Sequence, residues 1–88
     1  MLNRKITVIN KLGLHARPCS LLVKVASKFR SDLKIRKGNM EVNGKSIMGV
    51  MMLAAECGSE LDVILDGVDE EDAFVEIERL FLKKFEEE

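Results

Sequence analysis

The chain is 88 residues long, with 47% hydrophobic and 33% charged residues and a formal net charge of −1. This length predicts a single domain over residues 1–88, and the composition excludes an intrinsically disordered chain. No apolar run approaches the length of a membrane span, and no hydrophobic signal core follows Arg4 and Lys5, so we expect a cytoplasmic protein without a membrane partner.

Residues 5–9 alternate between apolar and polar side chains, which predicts a first strand with Ile6 and Val8 on its buried face. Residues 10–13 follow as a loop. Apolar residues then recur at the spacing of a helix, which predicts a helix over residues 16–29. The apolar stripe of this helix consists of Leu22, Val25, Ala26 and Phe29.

The middle of the chain predicts a hairpin and a short helix. Strands over residues 33–36 and 40–42 are separated by the turn signal Gly38-Asn39. Residues 47–53 are apolar almost throughout, a pattern that a buried strand would also give. We favour a helix because Ser46 is a favourable N-cap residue.

The last third predicts one strand and one long helix. Residues 61–65 alternate as a fourth strand. Asp69 is expected to cap a helix that runs to about residue 84, and its acidic first turn suits the positive end of the helix dipole. We expect residues 86–88 to fray. The buried stripe of this helix consists of Ala73, Ile77, Leu80 and Phe81.

The predicted order of elements is therefore β-α-β-β-α-β-α. Strands with one apolar and one charged face imply a four-stranded, mostly antiparallel sheet whose apolar face is covered by the three helices. The fold class is α+β, in the form of an open-faced β-sandwich.

Basic and acidic residues are segregated along the chain. Residues 1–45 hold eleven of the fourteen Lys and Arg against only Asp32 and Glu41, and thirteen of the fifteen acidic residues follow from Glu56 onward. A basic first half would suit an acidic or phosphorylated protein partner. Alternatively, the fold interleaves the two halves and removes the asymmetry. Nucleic acid is an unfavourable partner, because the chain lacks Trp and Tyr and three of its four Phe lie in the acidic C-terminal region.

The two cysteines, Cys19 and Cys57, are too few and too far apart to form a zinc framework. His15 and Cys19 are four residues apart and could share a helix face as half of a metal site, but no cluster supplies further ligands. We therefore predict free thiols, with no metal and no cofactor.

The only histidine precedes the only proline by three residues, at the predicted start of the first long helix. Pro18 is favourable in a first helical turn, which places His15 at the helix N-terminus after a sharp turn at Gly13. The backbone N–H groups there, including those of Ala16 and Arg17, and the Arg17 guanidinium could bind a phosphate. A neutral His15 imidazole would be a nucleophile for a phosphoryl group. Alternatively, His15 is a capping or surface histidine beside an unrelated arginine.

The sequence LGLHARP at residues 12–18, together with GKSIMGVM at residues 44–51, resembles the HPr family of histidine-containing phosphocarrier proteins. These proteins belong to the bacterial phosphoenolpyruvate-dependent phosphotransferase system, and the resemblance spans the whole chain. It implies that His15 accepts a phosphoryl group from phosphorylated enzyme I, aided by Arg17, and passes it to IIA domains of sugar transport. Such a protein is a covalent relay rather than an enzyme with turnover. The alternative within the family is a mainly regulatory HPr-like protein, in nitrogen-type or catabolite control.

The second motif implies a regulatory site and a docking surface. In Gram-positive members of the family, the serine that matches Ser46 is phosphorylated by an ATP-dependent HPr kinase/phosphorylase, and the motif here resembles that regulated version. Alternatively, Ser46 is an unmodified N-cap. The side chains on the short helix cannot all face inward, and those outside would form an apolar patch that docks enzyme I and IIA domains. These docking residues are Ile47, Met48, Met51 and Met52. No other self-complementary apolar face is expected, so we predict a monomer.

Overall fold

The computed structural model describes residues 1–86, and its elements follow in the predicted order. Of residues 86–88, which the sequence predicts to fray, Glu86 belongs to a short 3-10 helix, and residues 87–88 lie outside the described residues. The strands are β1 (Leu2–Thr7), β2 (Asp32–Lys37), β3 (Met40–Asn43) and β4 (Glu60–Asp66). The helices are α1 (Ala16–Ala26), α2 (Ile47–Met52) and α3 (Glu70–Leu82), followed by the 3-10 helix Lys84–Glu86.

The four strands form one sheet in the order β1-β4-β2-β3, and every neighbouring pair is antiparallel. The α+β fold with an open-faced sheet is therefore confirmed. Because β4 lies between β1 and β2, Asp62 is opposite Lys5 on one side and Arg36 on the other. No helix within residues 1–86 is long and apolar enough to cross a membrane.

The core lies between the inward face of the sheet and the helices. Each large apolar side chain buried there contributes roughly 1.5–3 kcal/mol to folding. The sheet contributes Leu2, Ile6, Leu33, Ile35, Leu61, Val63 and Leu65, and the helices contribute Cys19, Leu22, Ala26, Val50, Ala73, Ile77 and Phe81. The inward positions predicted from strand alternation are thus buried, and the predicted helix stripes are buried except for Val25, Phe29 and Leu80, which are half-buried.

The outward face of the sheet carries charges from both halves of the chain. Lys5 Nζ lies 3.1 Å from Asp62 Oδ1, and Arg36 Nη2 lies 3.3 Å from Asp62 Oδ2. The hydrogen bond from Lys5 is the main cause that lowers the pKa of Asp62. Exposed pairs of this kind contribute little to stability. They show that the basic and acidic halves of the chain are interleaved on this face. The fold therefore removes the charge asymmetry there, which is one of the two alternatives given by the sequence.

The boundaries of β1 and α1 differ from the predictions. β1 begins at Leu2 because its partner strand extends to Leu65, with which Leu2 is in register. β1 ends at Thr7, and Val8 pairs instead with a loop, donating to Ser59 O at 2.8 Å. α1 ends at Ala26 rather than residue 29, since the N–H groups of Lys28 and Phe29 close tighter turns with bonds of the i to i−3 type.

Asp69 occupies the N-cap position of α3, but the prediction that its side chain caps the helix is wrong. Its carboxylate instead accepts hydrogen bonds from the backbone N–H groups of Arg30 (2.8 Å) and Ser31 (2.9 Å) and from the Ser31 hydroxyl. The bond from the Ser31 hydroxyl is the main cause that lowers the pKa of Asp69 to about 2. Asp69 thereby ties the start of α3 to the loop between α1 and β2.

Candidate functional site

The loop that leads into α1 is held by its own backbone and by a neighbouring segment. Gly13 has a φ of +71°, and its N–H donates to Asn10 O at 3.1 Å. The Asn10 side chain returns a bond to Gly13 O at 2.7 Å. Leu14 N–H donates to Ala55 O at 2.9 Å, which fixes the backbone immediately before His15. The sharp turn predicted at Gly13 is confirmed.

His15 is the N-cap residue of α1, as predicted from Pro18. Its backbone is extended, its carbonyl oxygen accepts the first helical bond from Cys19 N–H at 3.1 Å, and its side chain makes no capping bond. The residue is exposed. The imidazole therefore lies at the surface, at the positive end of the helix, and the interpretation of His15 as a helix-capping side chain is wrong.

Pro18 is the third residue of α1, which limits the donors at the helix start. Proline has no N–H, and the Cys19 N–H is already bonded to His15 O. Helix geometry therefore leaves the N–H groups of Ala16 and Arg17 as the first-turn donors without an acceptor inside the helix. Both are directed toward the end of the helix where His15 lies, the arrangement that favours an anion.

A surface depression of about 190 Å³ brings the candidate residues together. It is lined by Leu12, His15, Arg17, Pro18 and Phe85. His15 and Arg17 thus share one concave surface. Phe85 was not predicted, although a signal existed, because it continues the four-residue spacing of Phe81 on α3.

Cys19 does not form half of a metal site with His15. Its side chain is fully buried, and Sγ lies 3.3 Å from Leu14 O, to which the thiol donates. Burial raises the pKa of the Cys19 thiol to about 11, so the metal-binding thiolate is disfavoured. Within residues 1–86, no three His, Cys, Asp or Glu side chains are grouped as metal ligands.

Ser46 is the N-cap residue of α2, as predicted. Its Oγ accepts a hydrogen bond from Gly49 N–H at 3.1 Å. The helix that follows buries Val50 and ends at Met52, with Leu53 as its C-cap. The assignment of residues 47–53 as a helix is therefore correct, apart from its last residue.

The predicted docking residues are exposed on α2. The exposed fractions are 41% for Ile47, 77% for Met48, 43% for Met51 and 66% for Met52. None of the four lies in the core, because a six-residue helix has only one inward face. We call these four residues the α2 patch. The helix that carries it packs against α1.

The end of α2 is connected to the loop before His15 through contacts that the sequence does not predict. Lys37 Nζ donates to Leu53 O at 3.2 Å and to Ala54 O at 3.3 Å, a cation at the negative end of the helix. Ala54 has a φ of +49°, which is unfavourable for a residue with a side chain. The next carbonyl, that of Ala55, is the acceptor for Leu14 N–H. No local pattern indicates these contacts.

Together, the fold and the site define a class of small α+β proteins that present a histidine and an arginine at a helix N-terminus. The sequence matches the protein family described as PTS HPr component phosphorylation site over residues 2–83. The chain therefore belongs to the HPr family of phosphocarrier proteins of the phosphotransferase system.

Individual relatives agree with this membership. The phosphocarrier protein HPr of Treponema pallidum is 50% identical over 88 residues, all of both chains. The structure of HPr-C-His from Thermoanaerobacter tengcongensis has a TM-score of 0.95 at 44% identity, covering 100% of this chain and 99% of its own. The HPr-like protein Crh of Bacillus subtilis is 45% identical over 83% of this chain and 86% of its own. Crh has been crystallised as a domain-swapped dimer, with a TM-score of 0.76.

Proposed function

We propose that His15 is the residue that carries the phosphoryl group. The observation that supports this proposal is the common depression of His15 and Arg17 at the start of α1, in a chain that belongs to the HPr family. A lone pair of a ring nitrogen forms the new bond to phosphorus, and the electron pair of the broken bond stays with enzyme I. The same exchange with a IIA domain as acceptor returns His15 to its starting form, so the protein is a relay without turnover of its own.

Arg17 and the backbone N–H groups of Ala16 and Arg17 are proposed to bind the phosphoryl oxygens. The guanidinium matches two oxygens at once, and the N–H groups are held in place by the helix before the phosphoryl group arrives. Phosphoryl transfer depends mainly on such positioning and on charge stabilisation. The chemistry uses only groups of this chain and of its partners, so neither a cofactor nor a metal is proposed.

The α2 patch is proposed as the docking surface for enzyme I and for IIA domains. Its exposed methionines suit a surface that must fit several partners, since their side chains are flexible and polarizable. The packing of α2 on α1 places the patch on the element next to the one that begins at His15. Partners docked there would approach the proposed phosphorylation site.

Ser46 is proposed as a regulatory phosphorylation site for an ATP-dependent HPr kinase/phosphorylase. It lies directly before the α2 patch, so a phosphate on Ser46 would add negative charge beside an apolar docking surface. That charge would weaken docking through desolvation and through repulsion of an acidic partner. The positive end of α2 would tolerate the modification itself.

A mainly regulatory role is the second candidate, and the 45% identity with Crh supports it. The two roles use the same chemistry at His15 and Ser46 and differ only in their partners. Coupling to sugar transport predicts transfer from phosphorylated His15 to a IIA domain, whereas the regulatory role predicts that nitrogen or catabolite control responds to Ser46 phosphorylation while sugar uptake does not.

We also propose that residues 1–88 act as one domain and as a cytoplasmic monomer. The swapped dimer is a property of Crh, and analytical ultracentrifugation of this chain at micromolar and millimolar concentration distinguishes the two states. A concentration-independent mass of 9.9 kDa supports the monomer. Twice that mass contradicts it.

The test of the proposed function is incubation with phosphoenolpyruvate and a bacterial enzyme I. Wild type is compared with His15→Ala, and Arg17→Ala is compared with Arg79→Ala, whose side chain pairs with Glu76 on α3. We expect an acid-labile, alkali-stable phosphoryl group that is absent in His15→Ala, slow to form in Arg17→Ala and unaffected in Arg79→Ala. Absence of transfer to wild type, or transfer that survives His15→Ala, overturns the proposal.

A further inference from the structure

Phe85 forms one wall of the depression that holds His15 and Arg17. It comes from the C-terminal end of the described chain, seventy residues after His15, yet its side chain is only 2% exposed. Leu12 and Pro18 complete the apolar part of the wall. The depression therefore has a charged side and an apolar side, and the apolar side depends on a residue far away in the sequence.

The backbone around Phe85 is strained, and the burial of the ring accounts for that strain. Lys84, Phe85 and Glu86 have φ values of 54°, 54° and 61°, the left-handed region that residues with side chains avoid. Three such residues in succession persist only where surrounding contacts hold them. The Phe85 ring packs edge-on against the ring of Phe81 at a centroid distance of 4.8 Å, and Phe81 is anchored in the core on α3. The turn after α3 thus folds back and places the Phe85 side chain at the depression.

We propose that Phe85 is a positioning residue for phosphoryl transfer, which keeps water from one side of the phosphoryl group on His15. This inference rests on the proposed function of His15. An apolar wall lowers the local dielectric constant, so the attraction between the guanidinium and the phosphoryl oxygens becomes stronger. It also removes one direction from which water can attack the phosphorylated imidazole.

A purely structural role for Phe85 predicts a different result. A core residue that merely fills space would lower the unfolding temperature when truncated, without changing the chemistry of the folded fraction. A docking role would raise the KM for enzyme I, because partner contacts would be lost. A positioning role lowers kcat and shortens the lifetime of the phosphorylated protein, with KM unchanged.

The experiment measures kcat and KM for phosphorylation by enzyme I, and the half-life of the purified phosphorylated protein at neutral pH. Phe85→Ala is compared with Phe85→Leu, which keeps an apolar wall, and with Leu82→Ala, whose side chain is 67% exposed on the same chain segment. We expect about a fivefold to tenfold loss in kcat and in half-life for Phe85→Ala. Phe85→Leu should recover most of both quantities, and Leu82→Ala should match wild type.

If Phe85→Ala does not fold, kcat and half-life are compared between Phe85→Met and Phe85→Gln. These two side chains have similar length, and only Met keeps the wall apolar. A shorter half-life in the Gln variant alone supports the inference. Wild-type kcat and half-life in folded Phe85→Ala or Phe85→Gln overturn it, while His15 phosphorylation stands. Absence of any His15-dependent phosphorylation in wild type overturns the proposed function itself, and the role of Phe85 with it.

Discussion

The backbone oxygen of Ala55 occupies the position next to Gly13 that a side chain would need. A Cβ on Gly13 would lie 2.5 Å from that oxygen, which also accepts the Leu14 N–H at 2.9 Å. The φ of +71° at Gly13 is a second reason for glycine. We therefore expect Gly13→Ala to lower the free energy of unfolding by about 3 kcal/mol, the sum of backbone strain and a forced shift of the 55–56 backbone. Urea denaturation measures this loss.

Gly38→Ala is the matched control for this substitution. Gly38 has a similar φ of +60°, but nothing lies within 4 Å of a Cβ there. Only the backbone strain applies, so the expected loss is about 1 kcal/mol. Gly13→Ala should also slow His15 phosphorylation in the folded fraction, because Leu14 adjoins His15, whereas Gly38→Ala should not. Equal effects of the two substitutions would contradict the importance of the contact with Ala55.

Ala54 is a site where the opposite substitution is expected to stabilise the protein. Its φ of +49° costs about 1–2 kcal/mol for alanine and almost nothing for glycine. The greater freedom of glycine in the unfolded chain offsets roughly 0.4–1 kcal/mol of this gain. We expect Ala54→Gly to raise the free energy of unfolding by about 0.5–1 kcal/mol, measured by urea denaturation.

Ala55→Gly, one residue later, is the control for Ala54→Gly. Ala55 is buried and is not among the residues with positive φ, so glycine there loses packing and gains no relief of strain. It should destabilise the protein by about 1 kcal/mol. Loss of stability in both variants would contradict the relief of backbone strain expected at Ala54.

Local patterns in the sequence were sufficient to predict the elements of this fold. The alternation over residues 61–65 and the serine before residues 47–53 reflect short-range physics, namely the strand period of two and the capping of free N–H groups. His15 and Arg17 could be placed for the same reason, since Pro18 fixes the helix start. Each of these predictions needed only neighbours within about four residues.

The residues whose contacts the sequence does not predict have a different property in common: their partners are distant in the chain. Asp69 has the right residue type for a cap, but Arg30 and Ser31, 39 and 38 residues earlier, compete for its carboxylate. Phe85 likewise lies beside a site near residue 15. Its left-handed backbone could not be predicted, because no glycine at this position indicates a positive φ. Such contacts arise only when the layers pack, which a single sequence does not reveal.

Substitution of Ser46 can separate its capping role from the effect of charge. Ser46→Ala removes the acceptor for Gly49 N–H, and we expect a loss of about 1 kcal/mol in the free energy of unfolding. Ser46→Asp retains an acceptor and should have nearly wild-type stability, but it adds charge beside the α2 patch. The measured KM for enzyme I should therefore rise several-fold in Ser46→Asp and remain unchanged in Ser46→Ala.

Ser27→Asp serves as the control for added charge, because Ser27 is exposed at the opposite end of α1 from His15. It should leave the KM for enzyme I unchanged. An equal rise in KM for Ser27→Asp and Ser46→Asp would indicate a general effect of net charge. It would contradict a local effect of position 46 on docking.

The three hydrogen bonds to Asp69 make the stability of the protein depend on pH in acid. The pKa of Asp69 is lowered from 3.8 to about 2, chiefly by the Ser31 hydroxyl. A group whose pKa is lowered on folding contributes stability above its unfolded pKa and loses it as the pH falls through its folded value. Wild type should therefore lose this contribution between about pH 4 and pH 2. Asp69→Asn should lack it at every pH, because an amide offers one acceptor oxygen and no charge.

Urea denaturation between pH 2 and pH 7 measures this dependence, with Asp66→Asn as the control. Asp66 is exposed, and its ion pair with the N-terminal amine is 4.0 Å long. The difference in urea midpoint between wild type and Asp69→Asn should be constant above about pH 4 and shrink toward pH 2, whereas Asp66→Asn should follow wild type throughout. A difference for Asp69→Asn that stays constant down to pH 2 would mean that the amide NH2 group, placed against N–H and O–H donors, causes the destabilisation, and not the loss of the charge. The connection of α3 to the loop at Ser31 would then not depend on the ionisation of Asp69, and acid would leave it intact.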